Sequence, residues 1–192
     1  MKLLIVTLLL VIAPTIVKAQ EFTLFNQDQE EISLKDFKGK TVVLEWLNHG
    51  CPFVRKHYDS GNMQKLQEKW TKKDVIWLSI ISSAPGKQGH VDFQGAREEA
   101  KKYNSKASHI LLDPTGEVGK LYEAKTTPHM YIFNKNGERV YEGAIDSIPD
   151  TNQDSIKKAT NYVDEALTQL SYNEKVKVSK TKAYGCSVKY TD

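Results

Sequence analysis

The sequence predicts an α/β domain with a mixed central sheet and helices on both of its faces. Three observations carry this. Apolar, β-branched runs alternate with helical stretches through the middle of the chain. The step Asn136-Gly137 joins two alternating runs, a strong signal for a tight antiparallel hairpin. A long amphipathic stretch follows the hairpin and supplies one more covering helix. Parallel strands joined by helices need right-handed crossovers, and such units place helices on both sides of a sheet.

In chain order, "FTLF" and "EISLKDFKGK" read as a short strand, a turn and a lead-in ending at Gly39. "TVVLEWL" (41–47) reads as a buried strand. From Pro52 to about Lys72 the spacing is helical. Val54, Tyr58, Met63, Leu66 and Trp70 form its inner stripe, and Gly61 marks a kink or break. "DVIWLSIIS" (74–82) is a second buried strand, "DFQGAREEAKKYN" (92–104) a charged outer helix, and "SHILLD" (108–113) a third strand closed by "DPTG". "EVGKLYEA" (117–124) is a short helix, and "HMYIF" and "RVYEGAI" flank the hairpin turn. Residues 152–170 read as one amphipathic helix with Ile156, Ala159, Tyr162, Val163, Ala166, Leu167 and Leu170 on its inner side. There is no internal repeat and no low-complexity tract.

The N-terminus has a short basic start at Lys2, an apolar run from Leu3 to Ala13, and small or apolar residues around Lys18. This is the pattern of a secretory signal peptide spanning residues 1–19. A membrane anchor is the rival reading, but the run is short for a span, which needs about 20 residues. The reading leaves residues 20–170 as one domain and 171–192 as a polar tail, with export to a periplasmic or extracellular space. The chain of 192 residues has a net charge of +3, and its lysines and acids are interspersed. That gives no electrostatic case for nucleic acid. No other stretch is apolar enough to span a bilayer, so membrane contact runs through the leader alone.

Both cysteines, Cys51 and Cys186, lie after the leader, and exported thiols tend to pair. Cys51 precedes Pro52 at the predicted helix start. Proline suits the first helical turn, and a helix N-terminus stabilises a thiolate through its partial charge and free N–H groups. Arg55, Lys56, His57 and His49 add nearby cations in this reading. Cys51 is therefore a candidate nucleophile with a lowered pKa; the alternatives are an inert buried cysteine or half of a static disulfide. Glu45 stands in an otherwise apolar strand, either as a buried functional acid or as an edge residue. His49, Cys51, His57 and His129 offer a weak metal set without thiolate-rich spacing, so no metal or other cofactor is expected. His57, His90 and His109 read as surface or cap residues.

The segments "VVLEWLNHGCP" and "TTPHMYIF" resemble the two hallmarks of the thioredoxin superfamily. With "NHGCPFVRKHY", "YEGAIDS" and the tail "YGCSVKY", the chain is similar to its peroxiredoxin-like branch, related to the alkyl hydroperoxide reductase and thiol-specific antioxidant group. The resemblance implies a thioredoxin-like fold and a cis Thr127-Pro128 bond facing Cys51. It implies Cys51 as the peroxide- or disulfide-reactive thiol, and Cys186 as a resolving thiol if the tail folds back. A permanent bridge and an unpaired Cys186 remain open. The implied partners are a hydroperoxide or a protein disulfide or thiol, and an external thiol reductant. Two departures stand out: Leu44 and Asn48 occupy positions where typical peroxiredoxins carry Pro and Thr, and Val54 falls where a dithiol protein has its second cysteine. Asn48 would have to replace the Thr in orienting peroxide, and Arg55 would assist the thiolate.

Overall fold

The computed structural model describes residues 17–191. Residues 1–16, which hold most of the predicted leader, lie outside the described residues. A seven-stranded sheet runs in the order β2-β1-β5-β4-β3-β7-β8. Its strands are β1 (Thr23–Asn26), β2 (Glu31–Ser33), β3 (Val42–Trp46), β4 (Ile76–Ile81), β5 (His109–Leu112), β7 (His129–Phe133) and β8 (Arg139–Gly143). β3, β4 and β5 are parallel, while β7 joins β3 antiparallel and continues into β8 by the hairpin. The sheet is mixed, as the sequence predicts.

The strand β3 is buried on both faces, and its alternation sorts two cores. Val43 and Leu47 face a cluster under α1 (Pro52–Asp59), α2 (Asn62–Thr71) and α5 (Tyr162–Ser171), with Val54, Tyr58, Met63, Trp70, Val163 and Leu167. Leu44 and Trp46 face the opposite cluster, with Val118 of α4 (Glu117–Leu121), Tyr122 and Tyr131. α3 (Phe93–Lys102) buries only Ala96, consistent with a charged outer helix. Gly61 adopts φ +71 between α1 and α2, so the predicted break is real.

One helix differs from expectation. Residues 152–170 form a 3-10 turn at Gln153–Lys158, then a break, then α5. Asn161 caps α5 by accepting from the Asp164 amide at 2.9 Å, which starts the helix afresh. Among the described residues, no helix is long and apolar enough to cross a membrane.

The tail is ordered and returns over the sheet. Thr181 bonds to Glu142 beside β8, and further along Cys186–Ser187 (β9) pairs antiparallel with Thr126–Thr127 (β6). Beyond β9, Val188 donates to Lys125, Ala84 donates to the Lys189 carbonyl, and the Tyr190 hydroxyl donates to Ala124.

Candidate active site

Cys51 is the N-cap of α1, with φ −85 and Pro52 in the first turn, and the Arg55 amide donates to its carbonyl at 3.0 Å. The side chain is fully buried. Thr127-Pro128 is cis and lies against it: the Cys51 thiol donates to the Thr127 carbonyl at 3.0 Å. Directly across the β6–β9 pair stands Cys186, whose register partner is Thr127. The two thiols are close enough for each to shift the other's ionisation, and both are free.

The electrostatics of the pair are unequal. Burial works against ionising Cys51, but donors outweigh it: the Cys186 thiol, the Val54 amide, the Cys186 amide and the Thr127 hydroxyl. Its pKa falls below the ordinary thiol value. Burial and the facing Cys51 push Cys186 the other way, up to about 11. Cys51 is therefore the sulfur that ionises first, and the thiolate is the attacking form. The Thr127 hydroxyl is buried and has no hydrogen-bond partner among the described residues, which leaves it free to turn to the sulfur.

Beneath this pair, Glu45 on β3 is completely buried in the central sheet and is not an edge residue. Its Oε1 accepts from Tyr58 at 2.9 Å, and its Oε2 from Trp77 at 2.8 Å, Ser79 at 2.8 Å and Gln67 at 3.1 Å. Burial nevertheless pushes the carboxyl pKa up, more than these donors lower it. No bond of this network reaches a cysteine among the described residues.

A family model described as the AhpC/TSA family matches residues 17–141. The chain belongs to the AhpC/TSA family. That membership makes it an oxidoreductase of the thioredoxin superfamily, with a redoxin domain. The thiol-disulfide oxidoreductase ResA of Bacillus thuringiensis is 24% identical over 143 residues, 74% of this chain and 77% of that protein. Among solved structures, an uncharacterized conserved protein from Geobacillus kaustophilus superposes with TM-score 0.77 at 26% identity, covering 94% of both chains. A hypothetical protein from Sinorhizobium meliloti reaches TM-score 0.78 at 19% identity, over 93% of this chain and 96% of that one. The fold is thioredoxin-like.

Within this AhpC/TSA site, the structure brings together Cys51, Cys186, Thr127 and Pro128. Asn48 and Arg55 stand apart. The Asn48 side chain accepts from the Gly50 amide at 2.8 Å and donates to the Gln88 carbonyl at 3.1 Å, so it shapes the loop before Cys51. Arg55 is 58% exposed and bonds Asp59 at 3.1 Å.

The expected cationic surround is also corrected. His49 stacks on Tyr103 with ring centroids 3.8 Å apart, and burial drives its pKa down to about 3, so it is neutral. His57 is completely buried rather than on the surface, with its pKa lowered by burial to about 4. Lys56 is buried in an ion cluster of its own. The donors to Cys51 are dipoles, not charges. The four candidate metal ligands do not converge: His129 bonds near Tyr131 and Lys125, away from His57 beside Asn62. Among the described residues, no group of three His, Cys, Asp or Glu side chains is placed to hold a metal. The residue that sequence reasoning misses is Tyr184, and with it the burial of Lys56 and Asp146.

Proposed function

We propose that this chain is an exported thiol–disulfide oxidoreductase whose working couple is Cys51 and Cys186. The observation that carries the reading is the contact of the two thiols under Thr127-Pro128, with Cys51 the more acidic. In this reading the Cys51 thiolate attacks one sulfur of a protein disulfide and forms a mixed disulfide, expelling the first substrate thiolate. Cys186, deprotonated as it attacks the Cys51 sulfur, displaces the second substrate thiolate from it and closes a Cys51–Cys186 disulfide. An external dithiol then reduces the pair, itself becoming a disulfide. The similarity to ResA, a thiol-disulfide oxidoreductase, supports this reading. The leader-like residues Met1–Ala19 support export.

A hydroperoxide is the weaker substrate. Asn48 and Arg55, the residues that would aid peroxide, are committed to Gly50, Gln88 and Asp59. Insulin reduction with dithiothreitol as donor tests the choice. Cys51→Ser should abolish turnover, and Cys186→Ser should accumulate a mixed disulfide visible by intact mass. An unchanged rate in Cys51→Ser refutes the reading. Peroxide oxidation of Cys51 well above the rate of free cysteine, in stopped flow, would favour the hydroperoxide instead.

A further inference from the structure

Cys186 reaches Cys51 because the tail is tied down on both sides of it, and the nearer upstream tie is a buried polar cluster. Lys56, on α1, is 1% exposed. Lysine is almost never buried to that degree unless paired. Its Nζ lies 3.2 Å from Asp146 Oδ2 and 3.1 Å from Asp150 Oδ1, and donates to the Ile148 carbonyl at 2.8 Å. Asp146 is itself 3% exposed. Its Oδ1 accepts from the Ile148 amide at 3.0 Å and from the hydroxyl of Tyr184. The Tyr184 ring lies 5.9 Å from the Lys56 ammonium and 5.7 Å from the Phe53 ring. His57 stands alongside, neutral, with Nε2 3.7 Å from Asp146 Oδ2. One cluster thus joins α1, the loop after β8 and the tail, two residues before Cys186.

A buried ion pair is weak evidence for stability, because apolar residues of the same volume often serve as well; its best-attested use is to fix register. We propose that Lys56, Asp146 and Tyr184 form a latch that sets Cys186 on Cys51, making Asp146 and Tyr184 positioning residues for the thiol couple. The proposal rests on the Cys51–Cys186 couple described above.

The backbone between Tyr184 and Cys186 transmits the position. Gly185 has φ +136 and packs on the Thr127 carbonyl so closely that a Cβ would lie 2.0 Å from that oxygen. That oxygen is also the acceptor of the Cys51 thiol. With Tyr184 held by Asp146, Gly185 seats on Thr127, and the amide and thiol of Cys186 both point at Cys51. With Tyr184 free, the tail keeps its ties at Thr181 upstream and at Val188, Lys189 and Tyr190 downstream, and β9 loses the tie two residues before Cys186. Cys51 then loses the two groups of Cys186 that favour its thiolate and keeps the Val54 amide and the Thr127 hydroxyl, and the space above the sulfur opens. The engaged latch makes Cys51 acidic but covered; the released latch makes it reachable but less acidic.

The test is Tyr184→Phe in the full, reduced chain, which removes one hydroxyl and keeps the ring on Phe53. The readout is the pH midpoint of iodoacetamide alkylation at Cys51, located by peptide mass, with folding checked by circular dichroism. The midpoint should rise by about one to two pH units, the loss of one or two hydrogen bonds to a charged sulfur. Gly185→Ala, which unseats the tail without touching the cluster, should raise it as well. Folded Tyr184→Phe and Gly185→Ala proteins that keep the wild-type midpoint overturn the latch. Insulin reduction separates the two proposals: if it depends on both cysteines while the midpoint stays fixed, the latch alone falls. If the midpoint moves while Cys51→Ser still reduces insulin, the exchange reading falls and the latch stands.

Discussion

Cys51 is held by the core, and Cys186 by a short series of hydrogen bonds in a tail that buries little apolar surface of its own. Around Cys51, the residues Leu47, Val54, His49 and Tyr58 are all buried. No residue from Lys177 to Thr191 is buried to that degree. The tail's ties are backbone bonds from Thr181 and Val188, a bond to the Lys189 carbonyl, and the Tyr184 and Tyr190 hydroxyls. Apolar burial is cooperative with the whole fold, whereas a few surface-side bonds can open on their own. One sulfur of the couple is therefore fixed by the whole fold, and the other sits on a segment held by fewer contacts, which local opening would release first. In the exchange reading proposed above, that asymmetry is what would let a sealed thiolate meet a protein disulfide without global unfolding.

The largest expected effect tests the rigid side. His49 is 4% exposed, and neither ring nitrogen makes a hydrogen bond among the described residues. Its pKa falls from 6.5 to about 3 on folding, because burial penalises the cation. Below pH 6.5 the unfolded chain binds a proton that the folded chain refuses. Stability therefore falls on acidification from 6.5 toward 3 and is unaffected by this group above 6.5. His49→Phe keeps the stack on Tyr103 and the edge contact with Tyr58 and removes the titration. Relative to wild type, it should gain about 3 kcal/mol at pH 4 compared with pH 7. Urea midpoints at the two pH values measure this, and an identical pH dependence in both proteins would place the proton elsewhere.

The next effect contrasts the two sides directly. Amides of β3, such as Trp46, should exchange only through global unfolding, and those of Thr181 and Val188 through local release of the tail. A gap of about 100-fold or more in protection is expected, equivalent to about 3 kcal/mol. Native-state hydrogen exchange by mass spectrometry reads it. Equal protection would mean that the tail is an integral part of the core, and Cys51 would then be permanently closed to a protein partner.

Much of the rigid side is legible in the residues. Val42 to Trp46 announce a buried strand, Cys51-Pro52 a capped helix, and Asn136-Gly137 the hairpin, because each signal is local. The Asn161 cap with Asp164 in its first turn was also a local signal, and the amphipathic spacing before it masked the break. The other side is hidden by distance in sequence. Lys56 sits in "VRKHYD", where a lysine reads as solvated, and its partner Asp146 lies beyond five further strands. "AYGCSV" has no apolar run, since β9 is only two residues long and exists through pairing with β6. Charges near Cys51 were visible, but their directions were not. Burial of His49 and His57 neutralises them, and Lys56 turns to Asp146.

That correction gives the smallest and sharpest prediction. If dipoles alone lower the Cys51 pKa, removing an exposed cation on the same helix changes little. Arg55 sits one helical turn from Cys51 but bonds outward to Asp59. In Arg55→Ala the alkylation midpoint of Cys51 should stay within about 0.3 pH units and insulin reduction within about twofold, since an exposed charge is screened by water and salt. Raising sodium chloride should likewise leave the wild-type midpoint in place, because screening weakens charge–charge attraction and not a direct hydrogen bond. A midpoint that climbs in Arg55→Ala, or with salt, would restore a cation to the site and make the helix side electrostatic rather than dipolar. A midpoint that ignores both, yet moves in Tyr184→Phe, would show that the acidity of Cys51 is supplied across the site by the tail.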